Sequence, residues 1–430
     1  NAADTNDKVD IATGLTLTTA GLMTLDATTG GLVGAGTLDL DAKTGITLND
    51  NLTTAGTTDI NADSDGTGGV GTLTLAAGKT LSTTNNILTI TAEDLDISGT
   101  SITSGSAKTT ITDSDNNGIG LGATASTNGL DVSVAELTKI TGADVEFVSA
   151  GNIDVNGLTA ASTATISGTL ILDSAADVNF VTAASTTTNG LTVEADNQVD
   201  IDVAITTTAG NLSIDGDADN AADTNDKVDI ATGLTLTTAG LMTLDATTGG
   251  IAGVVLTLNA KEGVTITDAL TTTGALTVNA DTDADDNTGT FTTGGAVSAG
   301  SNAISITAND VVLGSTLSSG GAKTTITDSD STDGVGLGAT TVSNGLNLSG
   351  TELQNITSTG FEIATGGTVT VNGITAANSN NLSGTTTLDA TGIITFATGA
   401  SIFNTLAVES DGGVAVNIGL STDTGNLTID

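Results

Sequence analysis

The sequence predicts an all-β fold, a parallel β-helix (β-solenoid) built from two tandem copies of one unit of about 215 residues. Three observations carry this. The chain repeats itself over half its length, it alternates apolar and polar residues in short runs, and it lacks the large side chains of a globular core.

The repeat is direct. Residues 1–31 recur unchanged as residues 220–250, an offset of 219. The run 107–115 returns at 322–330, and 210–215 returns at 425–430 with Thr428 in place of Ser213, both at an offset of 215. The first unit therefore covers residues 1–219 and the second 220–430. Both ends of the chain are in phase with the repeat. Terminal repeats of a solenoid are usually atypical, so the chain reads as a section of a longer array.

Within each unit runs a shorter beat of apolar-polar-apolar triplets. Val9-Asp10-Ile11, Leu15-Thr16-Leu17, Leu38-Asp39-Leu40, Ile46-Thr47-Leu48 and Leu73-Thr74-Leu75 are examples, as are Ile153-Asp154-Val155, Val369-Thr370-Val371 and Leu427-Thr428-Ile429. Period-two alternation marks half-buried strands. The separators are Gly, Asn, Asp, Ser and Thr, which favour turns, and no segment carries a helical stripe. The separators are too short for helical crossovers. Two architectures fit such strands. Tandem β-sandwiches rest on buried aromatics and units of about 100 residues. A parallel β-helix needs only stacked aliphatics, with Gly at the bends and no proline in its ladders. At roughly 20 residues and ~4.8 Å per coil, 430 residues would make a rod of about 100 Å.

Composition supports the second architecture. The chain has no Cys, Pro, Trp, Tyr or His, only six Phe and 56 Gly, and its eight basic residues are all lysine. Its core must be thin layers of Leu, Ile, Val and Ala. A net charge of −42 excludes nucleic acid as a partner and opposes binding to anionic lipid. Acidity with few aromatics also marks disordered chains, but a mean hydropathy of +0.20, regular alternation and the absence of proline oppose that reading. No run of 18 apolar residues is present, so no membrane insertion is expected from this segment. A continuous core also removes the need for disulfides that small secreted domains have.

One sub-motif is more distinctive. In the first unit it reads Gly118-Ile119-Gly120-Leu121-Gly122, Asn128-Gly129-Leu130-Asp131-Val132, Glu136-Leu137-Thr138-Lys139-Ile140-Thr141 and Gly151-Asn152-Ile153-Asp154-Val155. The second unit repeats it as Gly334-Val335-Gly336-Leu337-Gly338, Asn344-Gly345-Leu346-Asn347-Leu348, Glu352-Leu353-Gln354-Asn355-Ile356-Thr357 and Gly367-Thr368-Val369-Thr370-Val371. This motif, about 50 residues in each unit, resembles a segment of large bacterial exoproteins similar to filamentous haemagglutinin, the β-strand-repeat proteins. The resemblance implies a right-handed parallel β-helix, export to the cell surface and a role in adhesion or extracellular structure. It carries no functional residues, because this part of the family is shaft.

Enzymatic chemistry finds little support. With neither His nor Cys, a Ser-His or Cys-His nucleophile is impossible within the chain. A carboxylate pair could hydrolyse a glycoside, yet no Trp, Tyr or Arg is present to hold sugar. No enzyme is expected. The acidic clusters are the best lead toward specific chemistry. Asn61, Asp63 and Asp65 before Gly66, and Asp113, Asp115 and Asn117 before Gly118, space oxygen ligands as the opening half of a Ca²⁺ loop does. Asp281 and Asp283, and Asp328 and Asp330, are their counterparts, and Asp215, Asp217, Asp219, Asp223 and Asp226 form a third cluster. The bidentate Glu of an EF-hand is missing, since Thr124 stands at the twelfth position of the Asp113 loop. Solvated turns are the competing reading, because Asp and Asn are good turn residues. Thr-rich runs such as 270–273 raise ice binding, but their spacing varies. Sequons at Asn51, Asn211, Asn347, Asn381 and Asn426 are expected by chance in such a composition. The sequence thus leads to an extracellular structural or adhesive fibre, whose expected partners are adjoining units and parallel copies. A calcium-responsive module that recognises a host-cell or matrix glycan is the alternative, and a carbohydrate-active β-helix a remote one.

Overall fold

The computed structural model describes residues 7–27, 29–67, 69–123, 129–222, 225–284, 287–330 and 332–430. Strand accounts for 51% and helix for 4%, in large all-parallel sheets with no closed barrel. The fold is the parallel β-solenoid, and parallel pairing excludes the sandwich. The chain forms two compact units, Asn1–Asn211 with Asp215–Asn225, and Leu212–Ile214 with Asp226–Asp430.

In the first unit each coil contributes three short strands. Leu32–Gly34, Leu38–Ala42 and Ile46–Leu48 are followed by Leu52–Thr54, Thr58–Asn61 and Thr72–Leu75, each lying in register on its predecessor. Leu32 lies beside Leu52, 20 residues on, which is one coil. Period-two alternation turns every second residue inward. In Leu38–Ala42 the residues Leu38, Leu40 and Ala42 are buried and Asp39 is exposed. The inward residues stack coil on coil. One column runs Leu17, Leu40, Ile60, Ile90, Ile111, Phe147, Leu172, Val193, and from Leu40 onward none is measurably exposed. Burying each such side chain stabilises by about 1.5–3 kcal/mol. Successive coils thus cover one another, and small aliphatics suffice.

The second unit has its own column, Leu236, Leu258, Val278, Ile306, Ile326, Ile363, Leu388, Val408. The units trade volume at one coil. Val145 and Phe147 in the first become Phe361 and Ile363 in the second, and all four are buried. Exchange of the large residue between neighbouring inward positions keeps the layer filled. Corners are closed by hydroxyls. Thr109 donates to Ser104 (2.8 Å), which donates to the Ala107 carbonyl (2.7 Å), and Thr324, Ser319 and Ala322 repeat this at 2.9 and 3.0 Å.

The distinctive motif marks a local departure from simple coiling. Strand Ile119–Gly122 lies between Leu130–Ser133 and Ile153–Asn156, so the chain doubles back before continuing. Val335–Gly338 lies likewise between Leu346–Leu348 and Val369–Asn372. The glycines explain themselves here. Gly338 has φ +90° and its missing Cβ would stand 2.3 Å from the Asn372 carbonyl, while a Cβ on Gly336 would stand 2.9 Å from Asn347 Oδ1. Each doubled-back strand leads into a short helix, Val134–Leu137 or Gly350–Asn355, closed by a capping box of Ser133 with Glu136 or Ser349 with Glu352.

Candidate functional site

The acidic residues singled out in the sequence fall into four settings. Asp65 and Asp283 pair with lysines, at 3.4 Å from Lys43 and 3.2 Å from Lys261. Asn61 accepts the Asp63 amide (3.2 Å), and Asp63 accepts the Ser114 hydroxyl (2.7 Å). In the second unit Asp281 accepts the hydroxyl of Ser329 (2.6 Å) and the amide of Ala284 (2.9 Å). These carboxylates tie loops to neighbouring coils. Asp115 accepts both the amide and the side chain of Asn117 (3.2 and 2.6 Å), and Asp330 accepts the amide and hydroxyl of Thr332 (2.9 and 2.8 Å), which is turn geometry.

Asp113 and Asp328 are both buried. Asp113 Oδ2 accepts the Gly118 amide (2.8 Å) and the Ser149 hydroxyl (3.0 Å), and Asp328 Oδ2 accepts the Thr365 hydroxyl (2.7 Å). One oxygen of each, and of Asp63, is buried without a hydrogen-bond partner. Burial pushes Asp113 upward from the usual carboxylate range, with Asp115 adding to the shift. Burial pushes Asp328 up to about 6, helped by Asp330 and Asp333 and opposed by the Thr365 hydroxyl. Among the described residues no group of three or more acidic side chains is placed to hold a metal ion. Thr124 and Asp223 lie outside the described residues, as does Asn128. Of the third cluster, Asp217 is buried with its amide bound to Asp215 (3.0 Å), and Asp219 accepts the Ala221 amide (2.8 Å). Two sequon asparagines are engaged as structural amides. Asn347 donates to the Val342 and Gly345 carbonyls, and Asn381 to that of Gln354.

The structure brings together acids that sequence reasoning missed. Asp173 and Glu194 are in-register neighbours on an outer face, and Asp215 adds its charge. Burial raises Glu194, with Asp173 and Asp215 contributing, and burial raises Asp173 with Glu146 contributing. Asp389 and Glu409 form the same pair in the second unit. A spacing of 21 residues from Asp173 through Glu194 to Asp215, followed in the second unit by spacings of 20 and 21 at Asp389, Glu409 and Asp430, was the available signal.

A second feature lies at the doubled-back motif. Asp94–Ile97 is the end strand of its sheet, and Leu130–Ser133 is not laddered to it. Two carboxylates bridge the break. Asp94 accepts the Asp131 amide and Glu136 accepts the Ile97 amide, both at 3.4 Å. In the second unit Asp310 accepts the Asn347 amide (2.8 Å), and Glu352 accepts those of Leu313 (3.3 Å) and Ser349 (2.9 Å). Side-chain oxygens thus stand where strand carbonyls would be in an unbroken ladder. Lys139 bonds the Ile97 carbonyl, and Asn355 that of Leu313 at 3.1 Å. Asp94 and Asp310 are both raised, chiefly by burial, with Glu136 and Glu352 contributing.

No family profile, no curated protein and no solved structure matches this chain.

Proposed function

We propose that this chain is a shaft segment of a large secreted surface fibre, mediating extracellular filament formation or adhesion, as in the haemagglutinin-like exoproteins its motif resembles. The observation that carries this reading is the apolar column in each unit, in which each coil is covered by the next. Such an element propagates stiffness by backbone ladders, and its repeat allows any length. Its partners are adjoining units of the same chain and parallel copies, outside the cell. Electron microscopy of the native material tests this. Long thin fibres are expected, and beaded or globular particles would remove the shaft reading.

A second reading, a calcium-responsive module that recognises a surface glycan, is favoured by one observation. Asp63, Asp113 and Asp328 each bury a carboxylate oxygen that has no hydrogen-bond partner, and a hard cation is one partner such an oxygen accepts. Titration of Ca²⁺ into chelated protein should then raise its melting temperature. An unchanged melting curve sinks that reading.

A further inference from the structure

The break in the ladder of the second unit opens a cavity of about 410 Å³, lined by Val311, Val312, Ala339, Thr341, Asp310 and Glu352 among others. Its chemistry is one-sided. Two carboxylates face it, while Val312 and Ala339 supply an exposed apolar wall. Among the described residues no lysine is left over for it. Seven of its eight lysines stand 2.5–3.4 Å from some other carboxylate, and the eighth, Lys139, is bound to the Ile97 carbonyl of the first unit. Each carboxylate already accepts backbone amides, which fix its position, and each oxygen keeps a lone pair for a further donor. The position of Lys139 is taken by the neutral Asn355 in the second unit, and Asp131 by Asn347, so both breaks carry the same net charge.

We infer that this cavity binds a primary alkylammonium group, the ammonium between Asp310 and Glu352 and its methylene stem along Val312 and Ala339. The natural source that fits is the lysine side chain of a partner protein, since an ammonium on a flexible apolar stem matches both halves of the site. Anions are repelled. A bare divalent cation would leave the apolar wall unused. This inference stands whether or not the chain is part of a fibre.

The test is a titration of the full chain followed by amide NMR shifts at Val312 and Thr341. The probes are butylammonium chloride, Nα-acetyl-lysine methylamide, 1-butanol and calcium chloride at matched ionic strength. Both amines are expected to give saturable shifts with a Kd of roughly 1–10 mM, and butanol none. Glu352→Gln, which removes the negative charge and keeps an acceptor oxygen for one of the Leu313 and Ser349 amides, should weaken butylammonium about tenfold. Val312→Phe, which fills the cavity from its exposed side, should abolish the shifts and serves if Glu352→Gln perturbs the helix. Shifts by butanol equal to those by the amine, full competition by calcium, or the absence of saturation would each overturn the inference.

Discussion

Two aspartates show how the same side chain is driven in opposite directions. Asp328 is 5% exposed, and its carboxyl is raised to about 6 from 3.8. The folded protein therefore holds that proton more tightly than the unfolded chain. The contribution to stability is fully present below about pH 3.8 and is lost as pH rises through 6. A shift of this size corresponds to at most about 3 kcal/mol. Asp328→Asn should flatten the fall in melting temperature between pH 4 and 7, and identical slopes for both proteins would contradict the assignment. Asp50 behaves in reverse. Lys79 stands 2.7 Å from its Oδ1 and holds its carboxyl below the usual range, and the Asn51 amide adds to this. That stability is present above the unfolded value and is lost as pH falls. Lys79→Ala leaves a buried carboxylate with its cation gone, and should cost about 1–3 kcal/mol at pH 7 in denaturant titrations. A neutral effect would show that water reaches Asp50.

At the scale of the element, alternation explains which residues form strands and which face inward. Leu38-Asp39-Leu40 was legible from its period alone, because a strand in a stacked coil has one wet face and one dry one. The strand Val335–Gly338 was harder, since its four residues are all buried. Its alternation of Gly with Val or Leu signals close approach of backbone. The doubling back of the chain was not legible, because it depends on which coil each strand joins, and pairing order leaves no periodic trace. The bridging roles of Asp310 and Glu352 were hidden for the same reason, their partners being 37 and 39 residues away. The acidic turns were legible as turns. Their lysine partners at Asp65 and Asp283 were not, since the pairs join different loops. Two substitutions probe this level. Gly338→Ala sets a methyl 2.3 Å from a carbonyl at φ +90°, and should cost about 2–4 kcal/mol. Glu352→Ala removes both the helix cap and the Leu313 acceptor, and should cost about 1–3 kcal/mol. Hydrogen exchange at the Leu313 and Ser349 amides should accelerate in this variant, and unchanged protection there would show that the break is held by other contacts.

For the whole molecule, charge is the dominant opposing force. A net −42 over 430 residues, with acids stacked in register at Asp173 and Glu194 and at Asp389 and Glu409, repels itself along every acidic face. Raising ionic strength from 0.01 to 0.15 M shortens the screening length from about 30 to about 8 Å. Melting temperature should therefore rise by roughly 2–5 °C over that range, and a flat response would mean that the acids are compensated by bound cations. Cohesion comes instead from ladders and columns, in which Phe147 sits between Ile111 and Leu172. Phe147→Ala should cost about 3–5 kcal/mol, read from the denaturant midpoint. A much smaller cost would indicate that the column collapses around the gap.

The chain is a solenoid of parallel coils. X-ray diffraction from oriented, concentrated protein tests it most directly. Parallel coiling predicts a strong reflection near 4.8 Å along the direction of orientation, because neighbouring strands are stacked along the solenoid axis. A 4.8 Å reflection perpendicular to that direction, or spacing near 10 Å between facing sheets without an axial repeat, would contradict the account.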